Sequence, residues 1–378
     1  MAKIIAFPGK PCCTHTDDKQ EKNNAARIAG RLLANLPQGR GHTAHIHPIW
    51  KSRTHGILMS VVLPAHDRPG LLNRCLAALT RQTLSHRQYE IIVVDSAPSS
   101  ASRNVVESYL NQPGNRPCII YLPIDSQDVA AAARNHGWHI ARGALIAFTE
   151  EDTIPCRDWL VQGMQAFDGI AQAVRGRITT SLSGLPTDHE RTARFLEQAE
   201  FASQNCFCLR RVLEDLGGFD ERFGATGRDD ADLYFRLLQA RSAIGEAPLA
   251  VVEHPVGTAH WGTSLRQQKD RQFDALLFKK HPRLYREKFN PAIPWNYHAI
   301  VIALIFLVAA LAWHKTWAVP LAAACWVLPS AHLCLQRLRG TEKTVANITE
   351  ILLTSLLLPP LAVFWGLVGA LRFRVRFL

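Results

Sequence analysis

A five-residue apolar run that stops at three consecutive acids constrains this chain more than any other feature. Residues 144–148, ALIAF, are followed after Thr149 by Glu150, Glu151 and Asp152. The run has the length of a buried strand and is too short for a helix. Carboxylates at the carboxyl end of such a strand stand where open α/β sheets bind their ligands. Three of them repel one another, and a hard divalent cation carrying a substrate phosphate offsets that repulsion. An acidic solvated turn is the competing reading of the triplet alone; the flanking sequence favours a site.

Upstream, a β-branched run from Ile57 leads to Pro64, where the strand is expected to end, and a polar loop with Arg68 and Pro69 follows. Leu71, Leu72, Cys75, Leu76 and Leu79 then recur at helical spacing. A second strand, 91–94, stops at Asp95 and a Pro/Ser-rich turn. A helix over about 103–110 leads to a third strand at 118–122. This alternation predicts a parallel sheet with right-handed crossovers, which sets Asp95 on the same edge as the acidic triplet. Asp95 also suits a turn in which it bonds its own backbone. A further helix carries Arg134 and Asn135 ahead of a stop at Gly143. Arg134 either meets phosphate or a nucleobase edge with its planar fork or lies on a solvated face.

Downstream, a helix is expected over 159–167, extended chain over 173–180 and a polar loop over 181–190. Gly217 and Gly218 end a helix. Asp229, Asp230 and Asp232 open the next one, whose apolar face is Leu233, Phe235, Leu237 and Leu238. A helix dipole favours acids at its N-terminus, but three exceed what capping needs. One of them facing a substrate hydroxyl is a candidate general base.

The net charge of +11 calls for an anionic partner: a phosphorylated substrate, anionic lipid or nucleic acid. Nucleic acid is set aside, because the lysines and arginines cluster beside apolar runs and not with aromatic stacking platforms. Nine cysteines include no C-x-x-C pair, so reduced cytosolic thiols are expected, with neither a zinc site nor a disulfide framework. Residues 1–56 read as a flexible polar extension with a short helix over 25–36 and no secretory start. His42, His45 and His47 lack the acidic or cysteine partners of a metal site.

Taken in order, SVVLPAHDRP, IIVVDSAPSS, ARNHGWHIARGALIAFTEED, GGFDERF and DDADLYFRL make residues 60–241 resemble the family 2 glycosyltransferases of the GT-A fold. The resemblance covers about half the chain. It implies an α/β, Rossmann-like fold with a mixed, mostly parallel sheet. It also implies an inverting transfer of a sugar from a nucleotide-sugar donor in one displacement. By position it makes Asp95 the nucleotide-contacting acid and sets Arg134 near the base and phosphates. Pro64 and Glu151 join them as cofactor-binding residues. Glu150 and Asp152 match the outer acids of the D-x-D metal motif, Glu150 being a departure that lengthens the side chain. Asp152 is thus the expected direct ligand of Mg²⁺ or Mn²⁺, with Glu150 and His254 as further candidates, although His254 equally fits a structural role. Asp230 matches the second acid of the family's E-D pair and is the expected base, with Asp229 in place of Glu. Gln268 and Arg271 fit the Q-x-x-R-W pattern of processive polysaccharide synthases, but Gln272 stands where Trp belongs, so polymerisation is not expected.

From His298 onward apolar runs dominate. Residues 299–313 and 317–335 predict a helical hairpin turning at His314-Lys315-Thr316, its basic flanks retained in the cytoplasm by the positive-inside rule. Lys279, Lys280, Arg283, Arg286 and Lys288 supply one flank as a patch for anionic headgroups. A third run, 351–371, is interrupted by Pro359-Pro360 and followed by Arg372, Arg374 and Arg376. A full crossing puts those arginines outside, whereas a kinked or re-entrant segment returns them. The expected division is an extension at 1–56, a GT-A domain at 57–290 and a membrane region of two to three transmembrane helices at 291–378. The expected protein is a multi-pass glycosyltransferase of the inner (plasma) membrane with its catalytic domain in the cytoplasm, acting on a lipid-linked or glycan hydroxyl. Transfer onto a polyprenyl phosphate, and an inactive nucleotide-sugar-binding scaffold, are the alternatives.

Overall fold

A computed structural model describes residues 56–124, 130–181, 184–224, 228–257, 260–289 and 293–376. The readings made for residues 1–55, including the three histidines and the helix over 25–36, lie outside the described residues.

Among the described residues, eight strands form one sheet in the order β3-β2-β1-β4-β7-β6-β8-β5. The first four are β1 (Met59–Ala65), β2 (Tyr89–Asp95), β3 (Cys118–Pro123) and β4 (Leu145–Phe148). Helices α1 (Pro69–Leu79), α2 (Ser100–Leu110) and α3 (Ala130–Ile140) connect them, and all their pairings are parallel. Every residue of β1 and of β2 is buried. Continuous apolar runs of this kind are what a parallel sheet covered on both faces requires.

Two boundaries differ from the sequence reading for identifiable reasons. β1 does not end at Pro64 but runs through it to Ala65, with Pro64 opposite Val94 and Ala65 opposite Asp95. Proline is tolerated there because β4 pairs with β1 only as far as Val62, so the donor that Pro64 lacks faces no partner strand. Helix α2 starts at Ser100, not near 103, because the Ser99 hydroxyl accepts the Ser102 amide and caps it.

The remaining strands are β5 (Ile154–Pro155), β6 (Ala173–Ser181), β7 (Cys206–Leu209) and β8 (Ile244–Pro255). β7 lies antiparallel between β4 and β6, while β8 runs parallel to β6. The sheet is therefore mixed and mostly parallel. With them come α4 (Trp159–Gln165), α5 (Asp188–Ala193), α6 (Arg210–Leu216) and α7 (Arg228–Gln239). Val61, Leu63, Ile91, Val93, Phe148 and Phe207 are fully buried in the main core. Each such side chain contributes about 1.5–3 kcal/mol relative to exposure.

Short helices α8 (Thr263–Arg266), α9 (Gln272–Lys280) and α10 (Pro282–Lys288) lead into α11 (Trp295–Ala312), α12 (Ala318–Leu338) and α13 (Val345–Arg372). These last three are long and apolar enough to cross a membrane by length and composition. Starting at Trp295 gives α11 18 residues, about 27 Å of rise, close to the ~30 Å of a hydrocarbon core. Pro359 and Pro360 do not interrupt α13, which is one helix of 28 residues. Pro359 is buried against protein, and apolar helices tolerate proline where neighbours cover the freed backbone groups.

The basic run between 279 and 288 is not a uniform headgroup patch. Lys280 pairs with Asp220 and Asp232, each at 2.5 Å. Lys288 pairs with Glu200, and Lys279 donates to the Phe373 carbonyl at 2.8 Å. Those lysines tie helices together.

Candidate active site

The strand order reverses at β1, whose neighbours are β2 on one side and β4 on the other. A crevice opens outside the carboxyl ends of the strands at such a switch point. Asp95 ends β2 directly beside Ala65, the last residue of β1. Residues 150–152 leave the end of β4, where the Thr149 amide still donates to the Val62 carbonyl at 3.3 Å. The Thr149 and Thr153 hydroxyls bond each other at 2.7 Å, and Thr153 Oγ1 donates to the Glu150 carbonyl at 2.7 Å. These bonds close the acidic segment into a tight turn and free its three side chains to point different ways.

Glu150 points toward Arg134. The guanidinium donates to Glu150 Oε1 and to Asp229 Oδ2, both at 2.5 Å. Arg134 and Asp229 are buried, and Phe219 lies under the guanidinium at 5.3 Å. Burial opposes the charge of Arg134, yet Asp229 and Glu150 outweigh it and raise its pKa. The bridge joins three distant pieces of chain: the middle of α3, the end of β4 and the start of α7. Asn135, next along, donates to the Phe219 carbonyl at 2.9 Å and accepts its amide at 2.9 Å. Gly218 sits at φ +67°, and a Cβ there would fall 2.5 Å from Asn135 Oδ1. Arg134 and Asn135 thus form the seam between the two halves of the sheet and do not lie on a solvated face.

Glu151 points the other way. It accepts the His66 amide at 3.1 Å, and Arg68 Nε lies 3.4 Å from it. Burial pushes its pKa up to about 7 against those two partners. Glu151 therefore holds the loop between β1 and α1, where Asp67 adopts a φ of +48°. Arg68 also reaches Asp152 Oδ2 at 3.3 Å. His254, near the end of β8, brings Nε2 to 3.7 Å from the same oxygen. That carboxylate raises the His254 pKa. Burial works against the Asp152 charge, but His254 and Arg68 prevail and hold its pKa down.

Asp95 makes the local turn and also ends its strand at the edge where the acidic segment lies. Its Oδ1 accepts the Ala97 amide at 3.1 Å, the local turn, and its Oδ2 accepts the Tyr121 hydroxyl at 2.7 Å. Each oxygen keeps lone-pair capacity for a ligand donor. Burial raises its pKa. Asp230 stands beside Asp229 at the first turn of α7, largely buried but with part of its surface open to solvent. Burial, then the charge of Asp229, pushes its pKa up to about 7. A carboxylate near that value is suited to accepting a proton at neutral pH.

The donor set can be tested against a divalent cation. Asp152 Oδ1 and His254 Nδ1 are buried without a hydrogen-bond partner. An orphaned carboxylate oxygen beside an imidazole is the kind of group a hard cation satisfies. Glu150 is engaged by Arg134, and Ser203 Oγ lies 3.3 Å from it. Among the described residues no three His, Cys, Asp or Glu side chains cluster as a metal site; Asp152 and His254 are the residues of the acidic edge that leave a donor atom unpaired.

Asp95, Glu151, Asp152 and His254 meet at one edge of the sheet, and Arg134 links Glu150 to the helix bearing Asp230. Pro64 is buried in β1 one residue before that edge. Sequence reasoning missed Tyr121 as the partner of Asp95, and Arg68 as the cation over the acids. Tyr121 is legible only through strand register, which places Asp95 opposite Pro123. Arg68 had a local signal, a basic residue in the loop directly after a buried strand. Gln268 is buried and accepts from Arg271 Nε at 2.7 Å.

Residues 60–216 match the family described as Glycosyl transferase family 2. Glycosyltransferase AglE of Haloferax volcanii is 27% identical over 205 residues, 50% of this chain and 66% of the relative. A validoxylamine A glucosyltransferase of Streptomyces hygroscopicus subsp. limoneus is 31% identical over 146 residues, 38% of this chain and 31% of the relative. The chain thus spans between about one third and two thirds of the length of these curated relatives. Among solved structures, the mannosyltransferase PcManGT from Pyrobaculum calidifontis, in complex with GDP-Man and Mn²⁺, is similar with a TM-score of 0.52 and 19% identity, covering 92% of this chain and 94% of that one. The sheet order and these likenesses agree: residues 60–216 are similar to glycosyl transferase family 2, and the fold is like that of a GT-A glycosyltransferase.

Proposed function

We propose that the protein is a membrane-anchored, inverting glycosyltransferase that moves a sugar from a nucleoside-diphosphate donor to a hydroxyl of a membrane-borne acceptor. One observation carries this reading: Arg134 bridges Glu150 and Asp229 at 2.5 Å each. It thereby joins the donor edge, with Asp95, Asp152 and His254, to the helix that presents Asp230.

In the proposed reaction Asp230 takes the proton of the acceptor hydroxyl as that oxygen attacks the anomeric carbon. The bond from that carbon to the diphosphate breaks, the nucleoside diphosphate departs with the electron pair, and the configuration inverts. Asp95 orients the nucleotide. Asp152 and His254 would hold Mg²⁺ or Mn²⁺, which would supply charge neutralisation at the departing diphosphate. Arg68, 53% exposed along its side chain, is free to move from the acids to a phosphate. The complex of the structural neighbour with GDP-Man and Mn²⁺ supports a donor and a cation of these classes.

The mounting of α7 supports a membrane-borne acceptor. Arg228, beside the base, donates to Asp274 of α9 at 2.5 Å, and Gln272 of α9 accepts from Arg372 of the apolar helix α13 at 2.8 Å. Two contacts thus separate the base from the apolar helices, an arrangement that suits glycolipid or polyprenyl-phosphate acceptors. The basic residues flanking those helices support a cytoplasmic catalytic domain.

The test is Asp152→Asn. Purified variant should lose Mn²⁺- or Mg²⁺-dependent donor turnover while keeping its unfolding midpoint. Full turnover by the variant, or by wild type in excess chelator, removes the cation from the mechanism.

A further inference from the structure

The helix α13 has a different relation to the rest of the molecule from that of α11 and α12. Those two pack against each other, each also touching α13, and turn at Trp313 and Trp317, which are 73% and 76% exposed. Trp295 begins α11 at the opposite end. Tryptophans at both ends of an apolar hairpin mark two membrane–water interfaces.

α13 is held by the sheet-bearing body at both of its ends. At the start, the Asn347 side chain accepts the Asp188 amide at 3.4 Å, and Glu350 accepts the Gly262 amide at 2.9 Å. At the finish, Arg372 donates to Gln272 at 2.8 Å, and Lys279 donates to the Phe373 carbonyl at 2.8 Å. Gly369 lies so close that a Cβ there would fall 2.3 Å from the Gln272 carbonyl oxygen. Between Glu350 and Arg372 the helix rises about 33 Å, roughly the full hydrocarbon thickness. If α13 crossed, either Asp188 and Gly262 or Gln272 and Lys279 would have to lie on the far side of the bilayer. The body that carries them is one continuous folded unit and cannot straddle it.

One face of α13, through Asn347, Ile351, Leu358, Ala362, Gly366 and Gly369, is buried along its whole length. The other face carries Leu352, Leu356, Phe364, Leu367 and Leu371, which are 49, 37, 54, 46 and 77% exposed. An uninterrupted apolar stripe beside a membrane hairpin needs cover. Exposed basic residues stand at both ends of it, Arg339 and Lys343 before, Arg374 and Arg376 after. An apolar stripe with basic ends matches a bilayer surface bearing anionic headgroups.

We infer that α13 does not span the membrane: it lies along the bilayer surface on the side of the sheet-bearing body, its exposed stripe sunk at the headgroup–acyl boundary and its C-terminal arginines kept on that side. This rests on the membrane association proposed above. It makes α11 and α12 the transmembrane pair and α13 a float that fixes the distance and tilt of the body over the lipid.

Two measurements test it on the full-length protein. Protease-cleavable epitope tags are placed after Leu378 and at Lys315, and cleavage is compared in right-side-out and inside-out vesicles. The tag at Lys315 should be cut only from the face opposite the body, and the tag after Leu378 only from the body's face. Nitroxides at Leu356→Cys, Phe364→Cys and Leu371→Cys, in phosphatidylethanolamine–phosphatidylglycerol vesicles, should all report one shallow depth. Cleavage of both tags from the same face, or depths that pass through the bilayer centre between Leu356 and Leu371, overturns the inference and leaves membrane anchoring intact. Release of the protein by a carbonate wash overturns membrane anchoring, and this inference with it.

Discussion

At the residue scale the site depends on Arg134. Its two carboxylate partners, Glu150 and Asp229, come from 16 and 95 residues along the chain, and no local pattern announces the second of them. Sequence reasoning reached Arg134 itself but not its burial, because an arginine in a helix carries no mark of which face is covered. Removing one member of a buried ionic group leaves the others uncompensated, at about 3–5 kcal/mol. Arg134→Met should lower the free energy of urea unfolding by that amount, and adding Glu150→Gln and Asp229→Asn should recover part of it. Equal stability of Arg134→Met and wild type would show that the bridge is not a structural joint. Asp230 gives a pH signature. Its pKa stands near 7 instead of 3.8 because of burial and Asp229. A base must be ionised, so kcat/KM should rise as pH passes through about 7. The sign for stability is opposite: from roughly pH 4 to 7 the folded chain holds a proton that the unfolded chain has lost, so this group's contribution falls as pH rises. Asp230→Asn should therefore keep or raise Tm at pH 8 while losing about 10²–10⁴ in kcat.

At the scale of elements, the strands were legible because a two-sided sheet needs short unbroken apolar runs, and 61–63, 91–94 and 145–148 supply them. Boundaries were less legible where proline intervened. Pro64 and Pro359 both sit inside elements that a local reading would end: Pro64 lies past the last residue that pairs with β4, and Pro359 is buried in a helix packed on its neighbours. The seam between α3 and the Gly217-Gly218 turn was invisible, although its glycines were not. Gly218 combines a φ of +67° with contact on Asn135 and Trp138. Gly218→Ala should cost about 1–2 kcal/mol for the left-handed backbone, plus about 1–3 kcal/mol for the overfilled contact. A thermal melt reads both, and an unchanged Tm would mean that the turn relaxes freely.

For the whole molecule, the sequence separated a soluble part from an apolar tail but left the path of the third apolar run open. Only contacts far apart in sequence, Asp188 with Asn347 and Lys279 with Phe373, bear on that path. The direction of Glu150 was not legible for the same reason: it is close to Asp152 in sequence but turned to Arg134. The central claim is that the sheet edge binds a nucleotide sugar and the start of α7 turns it over. Its most direct measurement pairs donor turnover with calorimetry on purified wild type, Asp95→Ala and Asp230→Asn, using UDP-, GDP- and TDP-sugars with Mn²⁺. Wild type should release nucleoside diphosphate from one of these donors. Asp95→Ala should bind that nucleotide about 1–3 kcal/mol more weakly, the scale of a lost hydrogen bond to a charged group. Asp230→Asn should bind it as wild type does and scarcely turn over. Wild-type turnover in Asp230→Asn, or donor binding without turnover in wild type, would contradict the account.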